Sequence, residues 1–113
     1  MSFTSDPATR QAFITGLRDL ADYLDQHPLI PVPANRTDIY LAAQPIDHGG
    51  RTQVDCFAWQ LGVTATDNRD LTGHYETARF FGPVGYRMLA LSAARITVYQ
   101  ADAALNGLLD TWT

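Results

Sequence analysis

The stretch Gly73 to Ser92, GHYETARFFGPVGYRMLALS, decides the fold. It holds two alternating runs around Gly82, Pro83, Val84 and Gly85, and glycine beside proline is what a tight turn between paired strands needs. With those four residues as the turn, Phe81 faces Tyr86, Arg79 faces Met88 and Thr77 faces Ala90. In the alternate set, Phe80 pairs with Arg87, Ala78 with Leu89 and Glu76 with Leu91. The two sets point to opposite sides of a sheet, because side chains alternate along a strand. Ala78, Phe80, Leu89 and Leu91 are the more apolar group and are expected to face the core. Thr77, Arg79, Phe81, Tyr86 and Met88 then form an open face, with Tyr40 from an earlier strand beside them. A single bulged residue in the turn would exchange the two sides.

Working toward the N-terminus, the loop DNRDLTG precedes the hairpin, and Val63 to Thr66 alternates as a short strand. Gly50 to Leu61 spaces Val54, Phe57, Ala58 and Leu61 along one helical face, and Gly62 suits a left-handed stop. Thr37 to Ala43 alternates Ile39 and Leu41, expected inward, against Asp38 and Tyr40. The run PLIPVPAN is a stiff extended connector. Before it, Ser5, Asp6 and Pro7 open a helix in which Phe13, Leu17, Leu20 and Leu24 make one apolar stripe, and His27 before Pro28 ends it. Beyond the hairpin, Ser92 begins a segment expected to be helical, with Ile96, Tyr99 and Ala103 on a stripe, although ITVY alone suits a strand. The order helix, strand, helix, three strands, helix predicts an α+β domain, a mostly antiparallel sheet of about four strands with helices on one face.

At 113 residues the chain supplies one hydrophobic core and one domain, residues 1 to 113. Its 46% hydrophobic and 18% charged content is globular rather than disordered. Twelve acids against eight bases, net −4 and without lysine, argue against nucleic acid as a partner, since that binding relies on basic side chains displacing counterions. A single cysteine, Cys56, makes no internal disulfide, and no basic-then-apolar segment opens the chain, so a cytoplasmic home is expected. No uninterrupted apolar run reaches the roughly 18 residues of a membrane span, so no membrane role is expected.

LADYLDQHPLIPVP, residues 20 to 33, and RFFGPVGYRMLALS, residues 79 to 92, resemble a pattern that recurs in short proteins of no assigned activity from actinobacteria and from their phages and other mobile elements. The likeness covers about a third of the chain. It implies a recurring fold and a mobile-element context and carries over no activity, cofactor or site residue. This chain has GPVG where the pattern leads one to expect a charged residue in place of the final glycine.

The residues that carry chemistry are sparse. His27, His48, His74 and Cys56 lack the paired spacing of a zinc site, so no metal or other cofactor is expected. Cys56 lies in a helix beside Asp55, whose charge works against a reactive thiolate. The loop DHGGRT, Asp47 to Thr52, offers His48, the open backbone of Gly49 and Gly50, a helix N-terminus and Arg51 to an anion, though the same residues serve simply to start a helix. His74 and Glu76 share one side of a strand, which suits acid and base work if a cleft brings them together, but near the sheet's end an edge position with solvated heads is the expected one.

No catalytic constellation emerges. Arginine, methionine and aromatic residues are the types that interfaces favour, so Tyr40, Thr77, Arg79, Phe81, Tyr86 and Met88 point to a non-enzymatic interaction module, an adaptor or inhibitor with a protein partner or a second copy of the chain, unless the C-terminal helix or the proline-rich connector covers that face as a second small core. A domain that binds a small anion, or an enzyme, built on the Asp47 to Thr52 loop is the alternative.

Overall fold

The computed structural model describes residues 3 to 95. Its first element, α1, is the helix Pro7–Gln26. Asp6 caps it: one carboxylate oxygen accepts the Thr9 N–H and the Thr9 hydroxyl, each at 3.0 Å. Those bonds to Thr9 hold the Asp6 carboxyl below its ordinary range. At the other end the His27 ring donates from Nδ1 to the Tyr23 carbonyl at 2.8 Å and stacks on the Tyr23 ring. That closes the helix just before Pro28.

Four strands follow in a mixed sheet: β1 (Thr37–Ala42), β2 (Thr66–Asn68), β3 (His74–Phe81) and β4 (Val84–Leu91), in the spatial order β1-β4-β3-β2. β2 with β3 and β3 with β4 are antiparallel, and β1 runs parallel to β4. The expected α+β architecture is present. Between β1 and β2 lie a single 3₁₀ turn, Ile46–His48, and the helix α2, Gly50–Leu61. The helix bounds are those the spacing predicts. Helix α2 ends in a left-handed Gly62, whose N–H reaches the Trp59 carbonyl while the Val63 N–H reaches Ala58. This pair of bonds is a Schellman closure. It engages Val63 and moves the short strand from the expected 63–66 to Thr66–Asn68.

The hairpin loop is shorter than expected. Phe81 pairs with Val84, so only Gly82 and Pro83 turn the chain. Gly82 sits at φ +59°, and a positive φ at the first central residue is what a two-residue type II′ turn demands. Every cross-strand pairing therefore moves by two: Arg79 faces Tyr86, Thr77 faces Met88 and Tyr75 faces Ala90. A slip of two leaves each residue on its own side, so the two face sets stay together.

Which side is inward is the reverse of the expectation. The core joins Val54 and Phe57 of α2 and Ile46 of the 3₁₀ turn to Tyr75, Met88 and Ala90 of the sheet, with Leu41, Leu61 and Tyr86 partly buried around them. Phe57 and Tyr86 meet edge to face at 5.5 Å. Helix α2 thus covers the very face that carries Thr77, Arg79, Tyr86 and Met88. Residues 93–95 are helical, and Ser92 Oγ accepts the Arg95 N–H at 3.3 Å. The expected stripe of Ile96, Tyr99 and Ala103 lies outside the described residues.

Candidate functional site

The expected partner face does not exist as a free surface. Thr77 and Met88 are each 3% exposed. Thr77 donates its hydroxyl to the Thr64 carbonyl at 2.9 Å, and Met88 belongs to the core. Arg79 donates from Nη1 to the carbonyl of Leu61, the last residue of α2, at 2.9 Å. A guanidinium is favoured at that helix end, where unpaired carbonyls gather negative charge. Phe81 stands exposed at the hairpin tip with Arg79 near its ring. Tyr40 pairs with Arg87 across the parallel ladder and lies on the opposite side of the sheet. The misreading has a plain cause: the polar members of the covered face are satisfied by backbone carbonyls, which alternation does not reveal.

The Asp47 to Thr52 loop is a helix start. The N–H groups of His48 and Gly50 both donate to the Pro45 carbonyl, at 2.9 and 3.0 Å. Gly49 adopts φ +95°, and a side chain on Gly50 would strike the backbone oxygens of Gln44 and Pro45. The Arg51 guanidinium lies 4.6 Å over the Tyr75 ring and 3.8 Å from Asp67. Hydrogen bonds from Arg69, first from its guanidinium and then from its N–H, hold the Asp67 carboxyl below its ordinary range. Beneath Arg51, Tyr75 donates its hydroxyl to Asp55, and that bond, then burial, pushes the phenol above its ordinary value. The glycines therefore serve the backbone, and Arg51 is already engaged.

Two other features remain. The first is α1, none of whose residues is buried. Its stripe is open: Phe13 is 45% exposed, Leu17 40% and Leu20 55%. Phe13 leans on Tyr86 at 6.5 Å between ring centres. The radius of gyration is 16.7 Å, against about 13 Å for a compact chain of this length. A half-open stripe on a projecting helix is an apolar surface of the kind that marks contact with another macromolecule.

The second lies on the sheet face away from α2, where a row of charges crosses three strands. Arg87 Nε donates to Asp38 at 3.1 Å, and its Nη1 lies 3.3 Å from Glu76. His74 Nδ1 lies 3.4 Å from the other Glu76 oxygen. The four side chains are only 13 to 21% exposed. They line a cavity of about 480 Å³ together with Tyr40, Leu89 and Leu91. Beyond it, Arg36 stacks 4.3 Å over Phe80. His74 and Glu76 thus meet half-buried in a cavity on the side opposite the core, rather than as the solvated heads expected at a sheet edge. Asp38 and Arg87 are new, and their only signal in sequence is opposite charge at alternating positions of two strands. Among the described residues no three His, Cys, Asp or Glu side chains converge on a metal position, and no helix is long and apolar enough to cross a membrane.

Comparison with protein-family models, with curated proteins and with solved structures finds no match.

Proposed function

We propose that the protein is a non-enzymatic interaction module whose partner is a second copy of itself, seated along α1. One observation carries this reading: Phe13, Leu17, Leu20 and Leu24 are spaced four, three and four, the same from either end, on a helix with no buried residue. A two-fold interface needs a surface complementary to itself. Two antiparallel copies of α1 meet that need, with Phe13 against Leu24 of the second copy and Leu17 against its Leu20. Helical periodicity places Gly16 and Tyr23 along one flank of the stripe, so a ring from one chain meets a gap on the other. Arg10 and Asp25 share the opposite flank at opposite ends, and antiparallel pairing brings unlike charges together. The helix dipoles also align favourably in this arrangement.

The likeness to short proteins of actinobacterial phages and mobile elements adds a setting for such a module, as an adaptor or inhibitor presented in dimeric form. Sedimentation equilibrium across the micromolar range tests the pairing. Mass should approach that of two chains, fall to one chain in Leu20→Asp, and stay dimeric in Trp59→Ser, which alters an exposed side chain of α2. A parent chain that remains single throughout refutes the reading.

A further inference from the structure

The charged cavity on the far face of the sheet is a built site with an unanswered hydrogen bond. Arg87 is flanked by two carboxylates, Asp38 and Glu76. Asp38, Glu76 and Arg87 together carry one net negative charge. His74 Nδ1 lies 3.4 Å from Glu76, and a ring that carries its single proton on that nitrogen presents Nε2 as an acceptor. That Nε2 and the Asp38 Oδ1 are both buried without a hydrogen-bond partner, and a buried acceptor left unmatched is a cost that a donor from outside removes. Leu89, Leu91 and the Tyr40 ring supply apolar wall to the same cavity, whose volume lies in the range of small-molecule sites.

We propose that this cavity binds a small organic cation, a primary ammonium group carried on an apolar body. The ammonium donates to His74 Nε2 and neutralises the excess charge of Glu76, and the body lies against Leu89, Leu91 and Tyr40. A carboxylate or phosphate fits poorly, because the Arg87 guanidinium is already shared between two carboxylates. The site stands independently of α1 pairing, since no residue of α1 lines it.

Benzylamine is the probe, with benzyl alcohol and benzoate as its uncharged and anionic counterparts, each titrated into ¹⁵N-labelled full-length chain and followed by NMR. Benzylamine should produce saturable shifts at the amides of His74, Leu89 and Leu91. Glu76→Gln should weaken its binding by about tenfold, the loss of one charge-assisted contact. Leu91→Trp, which fills the cavity and keeps its charges, should abolish binding and serves as the second variant if Glu76→Gln unfolds. No saturable shift, equal shifts with benzyl alcohol or benzoate, or full affinity in a folded Glu76→Gln chain overturns the assignment.

Discussion

Arg79 reaches from β3 to the carbonyl of Leu61 at 2.9 Å and so ties the hairpin to the C-terminal end of α2. The contact joins two elements that close sequence neighbours do not hold together. It also explains how an arginine sits comfortably on the covered face of the sheet: the head stays exposed at the helix end while the strand beneath it is buried. Arg79→Met should keep the packing of the stem and lose the cap, lowering stability by about 1 kcal/mol. Urea unfolding measures it, and self-association should be unchanged.

Met88 distinguishes a core residue from a contact residue. At 3% exposure between α2 and the sheet, its truncation leaves a cavity. Met88→Ala should cost about 2 to 4 kcal/mol, visible as an earlier urea midpoint, and in the chain that remains folded the dimer should persist. A loss of dimer without loss of stability would mean that this face is a contact surface after all.

The turn gives a sharper test of register. Gly82 at φ +59° has open space around it, so Gly82→Ala meets no clash and pays only for left-handed backbone. That should destabilise the chain by about 1 to 2 kcal/mol. With a four-residue loop the strain would be relieved and the effect would shrink toward zero.

Alkaline stability should follow Tyr75. Its phenol is raised above the ordinary value of 10.0 by its bond to Asp55, then by burial and by the Asp55 charge. A group that binds its proton more tightly when folded stabilises the native state fully below the unfolded value, and that stabilisation is lost as pH rises through the folded value. Urea midpoints should therefore fall from about pH 10 upward, and fall less steeply in Tyr75→Phe.

Local order was legible from sequence, and long-range order was not. The Asp6 cap, Pro7, the stripe ending before Pro28, and the Val54, Phe57, Ala58 and Leu61 spacing all act within a few residues, and both helices run as they dictate. Alternation likewise grouped Thr77 with Met88 and Glu76 with Leu89 on opposite sides. It did not reveal which side was covered, because Thr77 and Arg79 find carbonyls on α2 and just beyond it, at Leu61 and Thr64. The parallel partnership of β1 with β4 joins Asp38 to Arg87 across 49 positions, and nothing periodic marks such a pairing. That pairing assembles the charged cavity, so the cavity too was hidden apart from its His74 and Glu76 edge.

The central claim is antiparallel pairing of α1, and distances between spin labels on the two copies test it most directly. In a Cys56→Ser background, labels at Asp19→Cys lie level with the two-fold axis on the outer side of α1, and labels at Gln11→Cys lie on that side about two turns further along the helix. Pulsed electron resonance should give the shorter distance for position 19 and a clearly longer one for position 11, where the two labels are offset by about 20 Å more along the helix axis, from a rise of about 1.5 Å per residue. Equal distances at both positions would mean parallel helices, absence of any defined distance would mean no pairing, and either result contradicts the account.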